Sequence, residues 1–451
     1  MTLPFAAEAA ACRSAQSDWS RRSVAERLKP IRALRHLFVE RASEISDTVR
    51  AEIGRPEVEV IGSELLPTAA AMKFLEREAA AILRPRRVGG APIWLFGSRD
   101  TVHRRPWGVV GIIGTWNYPI FLNVVQTAHA LVAGNGVLWK PSEVVPRTAD
   151  LTHRLFLDAG FPAGLFRKLP ATREGGTQLA EADVDHVVFT GSDRVGRKLA
   201  ARLGERLIPS TLELSGIDAM FVLDDADVDL AAKAAWFGFT LNAGQTCIAV
   251  RRIFVHRSRV DEFTAILKSL LDAAPLKTLA NGKTVRPVLQ AGIEAEACRE
   301  VQFSPVAALI PFDSIDTAMS LAAESRFGLS ASIFSKNIAK ARELAARIRS
   351  GSLCINDALA PTAHPGTPFG GRGDSGWGVM QGREGLLGMT VPQVVTVRKG
   401  TFRPHFDDAA NPDPATARIL SGLLKAAHAR GIRSRLHGVL ELIRGVRRRR
   451  K

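Results

Sequence analysis

Cys247 stands in a setting that suits chemistry. It closes the run Asn242-Ala243-Gly244-Gln245-Thr246-Cys247, which reads as a loop between apolar elements. By type alone a single cysteine is a buried, inert small hydrophobe. After a glycine and polar residues it can instead be exposed and activated as a thiolate, which attacks electrophilic carbon. Carbonyls and esters are the candidate substrates. None of the ten histidines falls in a suggestive arrangement with it, so the base is sought elsewhere. Glu213, in Leu212-Glu213-Leu214-Ser215-Gly216, lies within an apolar run. Burial there would raise its pKa toward a general-base value; the alternative is an exposed acid at a strand end. Asn117, in Gly114-Thr115-Trp116-Asn117-Tyr118-Pro119, either aims an amide N–H at a developing oxyanion or forms a turn before a proline. Gly191-Ser192-x-x-Val195-Gly196 opens an expected helix after a strand, a setting for phosphate at a helix N-terminus. It is a weaker signal than G-x-G-x-x-G.

The elements that must position these groups are βα units. Val109–Ile113, Val137–Trp139 and His186–Thr190 are short apolar runs spaced by helical stretches. They predict an open, doubly wound parallel sheet with its ligand site beyond the carboxyl ends of the strands. Residues 24–53 and 57–84 read as helical, with Pro30 as an early boundary, and Ile93–Val102 as extended. Met220–Leu223, Arg251–His256, Ala331–Phe334, Ser352–Ile355 and Val391–Val397 continue the strand pattern, while Pro365–Gly378 is too rich in glycine for a regular element. The stretch from Pro106 to Trp139 has no charged residue, yet its asparagines, glutamine and histidine fit a buried α/β segment better than a lipid-facing helix.

Taken in order, the motifs resemble the aldehyde dehydrogenase superfamily from about residue 20 to 400. They include Pro106-Trp107-Gly108 running into Gly114-Thr115-Trp116-Asn117-Tyr118-Pro119, then Gly134-Asn135 and Lys140-Pro141-Ser142-Glu143. Phe189-Thr190-Gly191-Ser192, Glu213-Leu214-Ser215-Gly216, Gly244-Gln245-Thr246-Cys247, Asn356 and Pro368-Phe369-Gly370-Gly371 follow. The wording is most similar to the branch that oxidises fatty and aromatic aldehydes. The resemblance implies a Rossmann-type NAD-binding domain at 1–212, interrupted by an arm strand at about 92–103. It also implies an α/β catalytic domain at 213–385, an oligomerisation strand at 386–400, and a homodimer. By the same resemblance Cys247 would form a thiohemiacetal, Asn117 and the Cys247 N–H would hold its oxyanion, and Glu213 would activate the water that hydrolyses the thioester. Thr115, Trp116, Lys140, Ser142, Glu143, Gly191, Ser192, Val195, Gly196 and Leu214 would bind the cofactor. Glu143 would repel a 2′-phosphate, favouring NAD, with NADP as the alternative. Two departures stand out: Val301 occupies the place of a ribose-binding glutamate, with Glu300 one position away, and the catalytic segment is shortened between 257 and 300. They leave two alternatives, a weakly active or inactive member that binds a membrane or partner, and an acyl-transferring relative.

Lys and Arg number 61 against 45 acids, a net charge of +16. From Arg418 to Lys451 there are eleven Lys/Arg and one acid, so the remainder carries only +6. Residues 401–451 thus read as a linker and a basic tail with an apolar helical stripe over 416–451. Such a stripe suits an anionic membrane surface. Nucleic acid is disfavoured because no aromatic follows Phe406. A solvated tail, or a helix packed on the body or a partner subunit, is the bland alternative. Four widely spaced cysteines, no metal-ligand cluster and no signal-like N-terminus predict a cytoplasmic protein; the tail adds, as one alternative, a place peripheral to the inner face of a membrane.

Overall fold

The computed structural model describes residues 3–95, 97–400, 406 and 413–449. It forms two compact units, Met1–Arg84 with Arg104–Val391 and Pro85–His103 with Pro392–Lys451.

The first unit is built on two six-stranded sheets. One runs in the order Gly376–Trp377, Ser210–Glu213, His186–Thr190, Val109–Ile113, Gly136–Lys140, Phe166–Lys168. All its neighbours are parallel except Gly376–Trp377, which pairs antiparallel to the Glu213 end of its neighbour. Val109–Ile113 and Gly136–Lys140 are buried throughout. Helices cover both faces of a sheet like this, so continuous apolar runs replace alternation. From Val109–Ile113 the chain first adds strands on one side and then returns to add His186–Thr190 on the other. The strand order therefore reverses between those two strands, and a crevice opens beyond their carboxyl ends. Thr115–Asn117 and Gly191–Ser192 are the residues that emerge there. The second sheet, in the order Val288–Ala291, Val306–Phe312, Val250–His256, Asp218–Val222, Ser330–Phe334, Ser352–Ile355, is wholly parallel.

Several expectations are corrected. Helix Ala6–Arg21 precedes the helical region expected from residue 24. Pro30 does not bound a helix; it is buried inside Val24–Glu40, which begins at a capping box between Ser23 and Glu26. Residues 57–84 contain a π-helical turn, Ile61–Leu65, between two α-helical pieces. The Pro365–Gly378 stretch includes two two-residue strands, Arg372–Gly373 and Gly376–Trp377.

The second unit holds a three-stranded sheet in the order Arg86–Val88, Ser98–Pro106, Thr390–Arg398. The extended segment expected at 93–102 starts later. Pro92 begins a 3-10 turn, Ile93–Leu95, closed by Leu95 N–H to the Pro92 carbonyl at 2.8 Å, and the strand starts at Ser98. The same unit ends in two helices, Pro414–His428 and Ile432–Arg449. Most of the expected linker at 401–415 lies outside the described residues.

Candidate active site

The loop before Cys247 is shaped by backbone conformation. Asn242 (φ 53°), Ala243 (φ 53°) and Gly244 (φ 73°) are left-handed in succession. A Cβ on Gly244 would lie 2.3 Å from the Ser304 carbonyl oxygen, so only glycine fits this approach. The buried Arg251 guanidinium fastens the same place, donating to the Gly244 carbonyl at 2.5 Å, to Ser304 at 2.6 Å and to Val306 at 2.9 Å. The cysteine loop and the segment carrying Val301 and Phe303 are thereby locked together.

The Asn117 loop meets the cysteine loop from the other side. Asn117 Nδ2 donates to the Gln245 carbonyl at 3.1 Å, and its Oδ1 accepts from Thr115 Oγ1 at 2.7 Å. A carboxamide has two N–H groups, and this lock uses one of them. Asn242 Nδ2 reaches the Asn117 carbonyl at 3.0 Å.

Both loops are held by an ion pair that sequence reasoning missed. Arg55 and Glu64 are fully buried, with Nη1 and Oε1 2.5 Å apart. Arg55 also donates to Asn242 Oδ1 at 3.0 Å and to the Asn117 carbonyl, and its guanidinium stacks over the Tyr118 ring at 4.4 Å. Glu64 Oε2 accepts from the N–H groups of Ile120 (2.7 Å) and Phe121 (3.2 Å), at the start of helix Phe121–Ala133. Burial pushes the Glu64 carboxyl up, opposed by Arg55 and those two N–H groups. Glu64 belongs to the π-helical turn, which inserts a residue into the helix and so turns this side chain inward. No local sequence signal marks that insertion.

Two cavities meet at Cys247. The first, about 390 Å³, is lined by Val58, Phe121, Phe237, Leu241, Ile248, Leu359 and Phe369 among others. Glu59 is its one charged lining residue, and Glu59 already accepts from Asn242 N–H at 2.9 Å. The second cavity, about 380 Å³, is lined by Thr115, Trp116, Asn117, Gly191, Ser192, Glu213, Leu214, Cys247, Val301 and Phe303, with Thr190, Asp193, Ser215 and Met380. The two share Leu122, Cys247 and Phe369.

Cys247 is half-buried and lines both cavities. Burial pushes its thiol up to about 12, with the Asp218 and Glu213 charges acting the same way. The backbone N–H groups of Ile248 and Cys247 oppose that rise, which places donors beside the sulfur. Glu213 is buried with neither carboxylate oxygen hydrogen-bonded, and desolvation raises its pKa well above the usual range. Such a group is costly as an ion and ready to take a proton.

Of the residues expected to bind cofactor, Thr115, Trp116, Gly191, Ser192 and Leu214 line the second cavity; Lys140, Ser142, Glu143, Val195 and Gly196 do not. Ser192 caps helix Asp193–Glu205, accepting from Val195 N–H at 3.4 Å. Lys140 pairs with Glu143 at 3.3 Å, and Arg173 reaches the same carboxylate at 3.0 Å. Against partial burial, its own backbone N–H, Lys140 and Arg173 hold the Glu143 carboxyl below its ordinary value. Val301 faces the cavity, whereas Glu300 is exposed and absent from the lining.

A family model described as the aldehyde dehydrogenase family matches residues 5–278 and 269–395. The chain belongs to the aldehyde dehydrogenase family. Among its relatives within that family is a 4,4'-diapolycopene aldehyde oxidase of Methylomonas sp, 33% identical over 83% of this chain and 78% of that protein. Another is a putative succinate-semialdehyde dehydrogenase [NADP(+)] 2 of Mycobacterium tuberculosis, 32% identical over 88% of this chain and 85% of the relative. A solved aldehyde dehydrogenase of Mycobacterium tuberculosis, complexed with NAD+, superposes with a TM-score of 0.81 at 30% identity, covering 88% of this chain and 90% of that one.

Proposed function

We propose that this aldehyde dehydrogenase family member oxidises neutral, apolar aldehydes, long-chain or aromatic, to carboxylic acids with NAD, or with NADP as the alternative. The observation that carries this reading is the meeting of an apolar cavity and a polar cleft at Cys247. The aldehyde enters through the apolar cavity. A substrate carboxylate would find no Lys or Arg in that lining and would stay unpaired at considerable cost.

The cleft fits a dinucleotide: it lies at the sheet's switch point, beside the N-terminus of helix Asp193–Glu205, and at its base an unpartnered buried carboxylate waits for a polar neighbour. Gly191, Ser192, Thr115, Trp116 and Leu214 would hold the cofactor in the cleft, and Lys140, Ser142, Glu143, Val195 and Gly196 would hold its further half. Bound there, it supplies the acceptor for hydride from the substrate carbon.

The chain's own residues do the rest. Cys247 sulfur adds to the carbonyl carbon as its thiol proton passes to Glu213 or to water in the cleft. The second N–H of Asn117 and the Cys247 backbone N–H stabilise the oxyanion. Once the carbon is oxidised to a thioester, Glu213 takes a proton from water, the water oxygen bonds to the acyl carbon, and the carbon–sulfur bond breaks to release the acid. The two unpaired oxygens of Glu213 favour hydrolysis over transfer to another acceptor. Val301 supplies no carboxylate to the nicotinamide-side ribose, so turnover proceeds with a weakened hold on that half of the cofactor.

The enzyme is proposed to be a homodimer, because Thr390–Arg398 is an edge strand with Val394, Val395 and Val397 exposed. Its proposed location is the cytoplasm, at the inner face of a membrane. The test is reduced-cofactor formation from octanal and benzaldehyde with wild-type protein and Cys247→Ser. Octanoate formed by the wild type alone supports the reading; no turnover of either aldehyde with NAD or NADP overturns it.

A further inference from the structure

We propose that the helices Pro414–His428 and Ile432–Arg449 form an amphipathic slab that lies flat on an anionic lipid surface, with Trp94 seated at the same interface.

The packing between the two helices is made by glycine. A Cβ on Gly422 would lie 2.5 Å from Leu442 N, one on Gly438 2.5 Å from Ala426 N, and one on Gly445 2.7 Å from Ile419 Cγ1. The helices are therefore close enough for backbone to meet backbone, and they run antiparallel. A hairpin in water ordinarily hides its large apolar side chains between its helices. Here glycines sit in the seam beside half-buried Ile419, Leu423 and Leu442, and most of the large apolar side chains are left outside. Leu420 and Leu424 on the first helix, and Ile432, Leu436, Val439, Leu440, Ile443 and Val446 on the second, are all exposed, Ile432 at 77%.

Their placement puts the apolar face mainly on the second helix. At about 3.6 residues per turn, Ile432, Leu436, Val439, Ile443 and Val446 all lie on one side of that helix, about 80–160° round from Gly438. Leu420 and Leu424, each two residues from Gly422, lie on the outer edge of the first helix, nearly opposite the seam. Arg433 and Arg444 flank this face, and Arg418, Lys425 and Arg448 lie farther round.

Charge identifies the partner. Between Arg418 and Lys451 eleven cations oppose one acid. That acid, Glu441, is already neutralised by Lys425 at 2.7 Å and faces His437 at 3.2 Å. No helix among the described residues is long and apolar enough to cross a membrane. An apolar face edged with Arg and too short of apolar length to span lies in the headgroup region. Trp94, 49% exposed, packs its ring against His428 at the hairpin turn, centroids 6.3 Å apart. Tryptophan is enriched at that depth of a membrane.

The slab does not depend on the enzyme's activity, and its test does not use it. Full-length protein is sedimented with phosphatidylcholine vesicles and with vesicles containing phosphatidylglycerol. Wild type is expected to partition onto the anionic vesicles at least about tenfold more strongly than onto neutral ones. Leu436→Glu/Ile443→Glu and Arg433→Glu/Arg444→Glu should each lower that partition by about tenfold or more. Trp94→Phe should remove a blue shift in emission seen on adding anionic vesicles. All four substituted positions of the double variants are exposed, so folding is preserved; an unchanged melting temperature checks it. Full binding by the Leu436→Glu/Ile443→Glu variant would mean adsorption by charge alone and would overturn the proposal. So would wild-type chains that self-associate through this face, shown by a smaller sedimentation coefficient for that variant in the absence of lipid.

Discussion

The two cavities at Cys247 have nearly the same volume, about 390 and 380 Å³, and different linings. One is walled mainly by Phe, Leu, Ile and Val, with Glu59 its one charge; the other sets Asn117, Ser192, Asp193 and the unpaired Glu213 among Trp116, Val301 and Phe303. The contrast has a physical origin. The apolar cavity lies among side chains of packed helices and the segment around Leu359, where the core is built. The polar cleft lies where strands end, where backbone and short polar side chains cannot all be covered. Cys247 lines both, so on the proposed function substrate selection and hydride chemistry would be carried by residues that can be altered separately.

The largest effect expected on the polar side alone comes from Glu213→Gln. Steady-state turnover should fall by about 10²–10⁴, while a rapid burst of reduced cofactor persists. Loss of the burst together with turnover would place Glu213 in the first half-reaction and blur the division. A second measurement follows from the raised thiol, pushed up to about 12. Below that value the thiolate is the minor form, so iodoacetamide labelling of Cys247 in free protein should climb about tenfold per pH unit. A plateau near neutral pH would show the sulfur to be ionised already. Arg55→Met removes the clamp behind both cavities. Turnover should drop by about 10², with roughly 3 kcal/mol of stability lost because Glu64 is left buried and unpaired. Adding Glu64→Gln should restore the melting temperature but not the rate, which a purely structural role would not allow. On the apolar side, Val58→Arg puts a cation at an exposed position of the lining. The preference for octanal over succinate semialdehyde should shrink by about tenfold, with cofactor KM unchanged. The smallest effect belongs to Val301→Glu, which should lower the KM for NAD a few-fold and leave aldehyde KM alone. A change in aldehyde KM instead would show that the cavities are coupled.

The residues that line the cleft were legible where their signals are local. Cys247, Glu213 and Asn117 each lie in a short motif at an element end, and the parallel sheet follows from apolar runs such as His186–Thr190. Arg55 and Glu64 were not legible. Their partners Asn242, Asn117 and Ile120 are distant in the chain, and a π-helical turn looks in sequence like ordinary helix. Pro30 misled for a different reason: it lies in the second turn of Val24–Glu40, where its missing N–H gives up a bond to the Glu26 carbonyl, yet the helix runs on with Pro30 buried in the packing. In the tail, periodicity revealed the apolar stripe, but Gly422, Gly438 and Gly445 gain meaning only when two helices are laid side by side.

The separate linings of the cavities also bear on kinetic order. Geometry does not require one ligand to enter past the other, since each has its own lining and only Leu122, Cys247 and Phe369 are common. The acid can leave through the apolar side while the reduced cofactor still occupies the cleft, or after it has gone. Product release then has two parallel branches, and which carries the flux depends on the relative off-rates. On the proposed function, a weaker hold at Val301 on one half of the cofactor would give weight to the branch that discharges the cofactor first.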